Sequence, residues 1–157
     1  DDIRIEAYGT VDELNAFTGN LHDKINIDSV KDILFTIQNK LFNIGSVLAS
    51  DPNKDFKLPG VNESDITFLE VQIDLMEKEL QPLKNFILPS GHEVVSSTHI
   101  CRTVCRRAER RVIALNKNAE IDASIIIYLN RLSDYFFVLA RYLTVKYNAS
   151  EIIWKNA

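Results

Sequence analysis

Apolar positions recur with a helical period through almost all of this 157-residue chain. The clearest stripe is Val30, Ile33, Leu34, Ile37, Leu41, Ile44, Val47 and Leu48. That i, i+3, i+4, i+7 series marks one face of an amphipathic helix. Asp28 or Ser29 is placed to cap it, and Asp51-Pro52-Asn53-Lys54 to stop it. Upstream, Thr10-Val11-Asp12-Glu13 has the form of a capping box, predicting a helix from there to about Asp23. A third helix is predicted from Asn62 or Ser64, with Ile66, Leu69, Ile73, Met76 and Leu80 inward and Pro82 closing it. Ser90 with Glu93 repeats the capping-box pattern and predicts a fourth helix to about Asn116. Asp122 is placed to cap a fifth, with Ile126, Leu129, Leu132, Phe136, Leu139 and Leu143 inward, ending near Tyr147. Between these lie a loop through Leu58-Pro59-Gly60 and an extended connector, Phe86-Ile87-Leu88-Pro89-Ser90-Gly91. The apolar tail Glu151-Ile152-Ile153-Trp154 is expected to dock. No segment alternates as a strand does, and there is no repeat. The expectation is an all-α bundle of five helices forming one domain over residues 1–157.

Composition adds little to that picture. At 46% apolar and 25% charged residues the chain resembles ordinary soluble domains. No apolar run approaches the roughly 18 residues of a membrane span, so no membrane is expected. The expected location is the cytoplasm, or the mitochondrion in a eukaryotic host. The sequence opens on Asp1-Asp2 rather than Met, as if inside a longer protein. Cys101 and Cys105 share one helix face. With only His99 nearby they make a poor metal set, so they read as structural thiols and no metal ligand is expected among the side chains.

Charge is more telling. Five arginines and one glutamate give the window 102–111 a net +4 in a chain whose total is −4. On a helical wheel Ile100, Cys101, Val104, Cys105, Ala108, Val112 and Leu115 form the core arc. Arg102, Arg106 and Arg110 make a ridge on the opposite side, beside Glu109, while Arg107 and Arg111 lie toward the other edge. Like charges at i,i+4 destabilise a helix, so the cluster must meet an anion or be neutralised by carboxylates. Arginine throughout, with no lysine, suits bidentate phosphate contact. The fifth helix carries a second polar line, Asn130, Asp134, Phe137 and Arg141, facing water, ligand or a partner chain. Asn130 can exchange hydrogen bonds with a base or sugar, and Asp134 can pair an arginine. Near the start, Arg4 to Glu13 gathers polar groups about the expected helix N-terminus, where an anion would be favoured. Asp12 and Glu13 would serve the dipole there, and the arginine ridge offers Asp12 a cationic partner. Phosphate-loop, dinucleotide-fold and hydrolase-elbow patterns are missing from the sequence. Nucleic-acid binding through the arginine helix conflicts with the acidic balance.

Four stretches carry a resemblance. Arg-Ile-Glu-Ala-Tyr-Gly-Thr-Val-Asp-Glu-Leu-Asn (4–15), Phe-Ile-Leu-Pro-Ser-Gly (86–91), Cys-Arg-Thr-Val-Cys-Arg-Arg-Ala-Glu-Arg-Arg (101–111) and Tyr-Leu-Asn-Arg-Leu-Ser-Asp-Tyr-Phe-Phe (128–137) resemble the PduO-type ATP:corrinoid adenosyltransferases. The resemblance implies a ferritin-like five-helix bundle assembling as a homotrimer, with active sites between subunits. It implies ATP with Mg²⁺, and transfer of the 5′-deoxyadenosyl group to reduced cobalamin to give adenosylcobalamin and triphosphate. By position, Arg106 would contact the phosphates and Asn130 the nucleotide, with Arg107, Glu109, Arg110 and Asp134 around them. Arg102 would pair with Asp12 of a neighbouring subunit, and Phe86 would sit below the corrin ring. A reductase and a B12-dependent mutase or dehydratase would be its partners. The alternative within the same fold is a module that binds ATP or corrinoid for delivery without turnover. Two departures stand out. The family's Thr-Gly-Asp-x-Gly-x-Thr triphosphate loop is expected upstream of these residues, and His92 stands where many members have a second glycine.

Overall fold

The computed structural model describes residues 2–50, 53 and 58–156. Among these, five helices carry the fold: α1 (Asp2–Lys24), α2 (Asp28–Ala49), α3 (Glu63–Glu77), α4 (Glu93–Asn116) and α5 (Ala123–Lys146). α4 is the spine, packed against α1 on one side and α5 on the other, with α2 against α1 and α3 against α5. Lys40 of α2 closes the circuit by reaching Asp65 of α3 at 2.9 Å. The core is one contiguous apolar cluster to which all five helices contribute.

Four of the five elements begin or end differently from expectation, for local reasons. α1 starts at Asp2, so Thr10 is buried in mid-helix and its hydroxyl donates to the carbonyl of Glu6 at 2.6 Å. The capping-box pattern was a coincidence of spacing. Ala7, Val11, Leu14, Thr18 and Leu21 form one buried stripe that runs upstream through Thr10. The free N–H groups expected around residues 10–13 are therefore spent in helix bonds, and no anion site arises there. α2 is preceded by Ile27, which offers no side-chain cap; Asp28 is the first helical residue and serves the helix dipole instead. Its expected stop lies outside the described residues apart from Asn53. α3 ends at Glu77, before Pro82, and Leu80 follows in a turn. At α4 the cap is His92, whose Nδ1 accepts from the N–H of Val94 at 3.1 Å, and not Ser90 with Glu93.

Other expectations hold. Asn62 precedes α3, with the carboxylate of Asp65 accepting its N–H at 2.8 Å. Asp122 caps α5 by accepting from the N–H of Ser124 at 3.0 Å. The stripe of α2 is buried at Val30, Leu34, Ile37, Leu41, Ile44 and Leu48, with Ile33 and Val47 at its edges. Both thiols are buried, and Cys105 Sγ donates to the carbonyl of Leu129, stitching α4 to α5. Burial pushes the Cys101 thiol up to about 12 and Cys105 well above the usual range. Such thiols are poor nucleophiles and poor ligands. Ile100 is a correction: it sits just off the core arc and is 43% exposed.

α5 also corrects the expectation about span length, because by length and composition alone it could cross a membrane. Over half of that stretch is buried inside the bundle. Its apolarity is that of a core helix covered on two sides, by α4 and α3.

The tail docks as expected. Ile153 bridges Ile87 in antiparallel fashion. The N–H of Leu88 donates to Ile152 and that of Trp154 to Phe86, at 2.7 and 2.9 Å. Arg141 holds the base of this strap, donating to Glu151 at 2.8 Å and to the carbonyl of Gln81 at 2.9 Å. Gly91 carries the positive φ of 124° at the turn into α4, where an added Cβ would lie 2.9 Å from the carbonyl of Ser150. The backbone freedom of the connector therefore resides at 91. His92 beside it is extended, caps the helix and packs its ring 4.9 Å from that of Tyr147.

Candidate active site

The five arginines of α4 divide by partner. Arg107 makes a two-pronged contact with Glu13 of α1, both bonds 2.9 Å. The bonds from Arg107 hold the Glu13 carboxyl below its usual range, and Glu13 in turn raises Arg107. Arg111 reaches Glu6, also on α1, at 3.7 Å. Carboxylates thus neutralise the edge that flanks the core. The ridge is different. Arg102 is half-buried and its Nε donates to Nδ1 of His99 at 3.1 Å. Arg106 and Arg110 are exposed, and no carboxylate among the described residues pairs with either.

Arg102 and Arg106 line a cleft of about 460 Å³ between α3, α4 and α5. Ser133, Asp134 and Phe137 of α5 form its far wall, and Ile73 and Glu77 of α3 its rim. The 3.6-residue period brings Arg102 and Arg106 one above the other on α4, and Asp134 and Phe137 together on α5. Burial, and then the charge of Arg106, depress the pKa of Arg102. Two adjacent guanidinium groups in a partly dry cleft repel each other, and an anion placed between them relieves this. Such an arrangement is chemically suited to an anion.

Asn130 stands beside this cleft within a polar relay. Its Nδ2 donates to Glu109 of α4 at 3.1 Å, and its Oδ1 accepts from Arg131, whose Nε donates to Glu70 of α3 at 3.0 Å. Donor and acceptor are thus both oriented, though exposed enough to be exchanged for a ligand. Arg131 lies within the 128–137 stretch, but its pairing with Glu70 of α3, 61 residues away, has no signature in the sequence, and His99 is legible there only as a neighbour of the thiols.

Asp12 and Phe86 are not brought to the arginine cleft within the chain. Asp12 is exposed in a second cavity, about 270 Å³, between α1 and α2, with Tyr8, Asn15 and Phe42 around it. No ion pair joins it to Arg102. Phe86 is 77% exposed on the connector, meeting Trp154 edge-on at 6.1 Å between ring centroids. Among the described residues no three His, Cys, Asp or Glu side chains stand close enough to hold a metal ion.

The class of protein is thus an all-α bundle with a cleft against its central helix, lined by two arginines and two carboxylates. The chain belongs to the cobalamin adenosyltransferase family, whose model matches residues 1–143. It is 44% identical to a corrinoid adenosyltransferase of Bacillus subtilis, over 99% of this chain and 86% of that protein. It is 41% identical to the corrinoid adenosyltransferase MMAB of Mus musculus, over 99% of this chain and 68% of that one. Its fold superimposes on a variant PduO-type ATP:corrinoid adenosyltransferase from Lactobacillus reuteri, complexed with cobalamin and ATP, with a TM-score of 0.93 at 34% identity. That match covers 99% of this chain and 88% of the other.

Proposed function

We propose that this chain transfers the 5′-deoxyadenosyl group of ATP to the cobalt of reduced cobalamin. The near-full-length match to corrinoid adenosyltransferases carries the reading. The Co(I) centre of the substrate supplies an electron pair to C5′ of ATP. A Co–C bond forms, the C5′–O bond breaks, and the electron pair of that bond leaves with triphosphate. The nucleophile belongs to the substrate, which accounts for the lack of a nucleophile–base pair in the cleft.

What remains for the protein is to bind, orient and neutralise charge. In this reading Arg106 takes the phosphates, for it already faces the cleft without a partner to give up. Asn130 and Glu109 present oriented hydrogen-bonding groups to the nucleoside, and Arg110 and Asp134 set the charge around it. Arg107 contributes through its clamp on α1. Fixed guanidinium groups stabilise charge developing on a leaving group without reorganising, commonly the largest catalytic term. Mg²⁺ would enter with ATP and would offset part of the triphosphate charge. In a homotrimer with its sites between subunits, each Arg102 meets Asp12 of a neighbour, and the exposure of Asp12 leaves its carboxylate open to that contact. Phe86, exposed and braced by Trp154, offers an apolar face to the underside of the corrin, excluding water and a lower ligand. A reductase must supply Co(I), and an adenosylcobalamin-dependent mutase or dehydratase consumes the product.

The test is anaerobic incubation with ATP, Mg²⁺ and chemically reduced cobalamin, following the spectrum to adenosylcobalamin and the release of triphosphate. No turnover would refute the reading. Nucleotide binding without triphosphate release would instead identify a delivery module of the same fold.

A further inference from the structure

His99 has no part in the reading above, yet it lies one turn before Arg102 on α4 and is 4% exposed. Its Nδ1 is 3.1 Å from Nε of Arg102. A guanidinium Nε always carries its hydrogen, so this contact requires a lone pair on Nδ1. The ring is therefore neutral, with its proton on Nε2; an imidazolium would set N–H against N–H. Burial, and then the charge of Arg102, hold its pKa down to about 4, so this form persists at neutral pH. The ring also meets Phe137 edge-on, with centroids 6.4 Å apart. Arg102 and Phe137 both line the cleft, so one imidazole braces two of its walls. An arginine is long and flexible. Anchoring it at Nε fixes the guanidinium plane while Nη1 and Nη2 remain for carboxylate or phosphate.

We propose that His99 is a positioning residue for Arg102, its Nδ1 lone pair setting the guanidinium so that the outer fork faces the substrate side of the cleft. This rests on the adenosyltransferase reading. The experiment compares anaerobic turnover of wild-type protein with His99→Leu, His99→Asn, Arg102→Ala and the His99→Leu/Arg102→Ala pair, varying ATP at saturating cob(I)alamin. His99→Leu should lower kcat/KM for ATP roughly tenfold, as expected for loss of one hydrogen bond to a charged group. His99→Asn, whose Oδ1 takes the place of Nδ1, should recover to within about threefold of wild type. In the Arg102→Ala background the His99→Leu effect should vanish, because both changes break one unit. If His99→Leu does not fold, His99→Gln replaces it, with its polar group at the Nε2 position, and must be slow while His99→Asn stays fast. Equal rates in wild type and His99→Leu would overturn the proposal, as would equal losses in the Leu and Asn variants or multiplicative losses in the pair. Wild-type protein without turnover would refute the adenosyltransferase reading and this role with it.

Discussion

Arg106 and Arg107 are neighbours in sequence and identical in chemistry, so replacing each with alanine separates ligand binding from fold. Arg106 is exposed with no carboxylate partner among the described residues, and Arg106→Ala removes no side-chain hydrogen bond or ion pair seen among them. Its stability should stay within about 0.5 kcal/mol of wild type. If Arg106 meets the triphosphate, the change removes a hydrogen bond to a charged group, worth roughly 1.5–3 kcal/mol. That is about one to two decades in kcat/KM for ATP. Arg107 is the reverse. Its fork on Glu13 joins α4 to α1 with two 2.9 Å bonds, but both side chains are more than a third exposed. Screening reduces such a pair to about 1 kcal/mol or less. Arg107→Ala should lower Tm by about 2–4 °C in a chain of this size. Calorimetry and the anaerobic spectral assay, run on both variants, give four numbers. Arg106→Ala turning over like wild type would remove Arg106 from the phosphate site. Arg107→Ala with unchanged Tm would show the clamp to be energetically idle.

Three further outcomes are expected. Asp12→Asn should slow turnover, and adding Arg102→Ala should slow it little more, measured as a double-mutant cycle on kcat/KM; full additivity would contradict their meeting across subunits. Phe86→Ala should leave ATP affinity by calorimetric titration unchanged and impair the corrinoid step, and unimpaired turnover from cob(II)alamin with a reductase would sink that role. Stability should fall as pH drops from 6.5 towards 4, because His99 is held neutral in the fold at about 4 against its ordinary 6.5. The unfolded chain then takes up the proton first, and the loss reaches about 2 kcal/mol at pH 5. Glu13, held low by Arg107, adds a loss in the same direction as its carboxylate titrates. Melting curves of wild type and His99→Asn at pH 7 and pH 5 check this: the wild type should lose more, and equal losses would refute it.

Periodicity is a property of one helix at a time, so the sequence by itself determined the helices, most of their inner faces and the gathering of arginines on α4. Each follows from side chains three or four residues apart on the same turns. It also carried the motifs that point to the family. Where an element starts was less legible. Thr10-Val11-Asp12-Glu13 satisfies the capping-box spacing equally well in mid-helix, once Ala7 extends the buried stripe upstream. Ser90 with Glu93 lost to His92, whose ring could reach the N–H of Val94 while packing on Tyr147, 55 residues downstream. Tertiary structure alone decided what the arginines do. Arg107 finds Glu13 at a separation of 94 residues, because α1 packs on that edge of α4. Arg106 is left facing the cleft, because Glu77 and Asp134 are the carboxylates that α3 and α5 bring to its walls and neither closes on it. Asp12 and Arg102, which the resemblance pairs across a subunit boundary, stand in separate cavities of one chain. A wheel orders side chains around one axis; which neighbouring helix meets each of them is set by burial of the shared core.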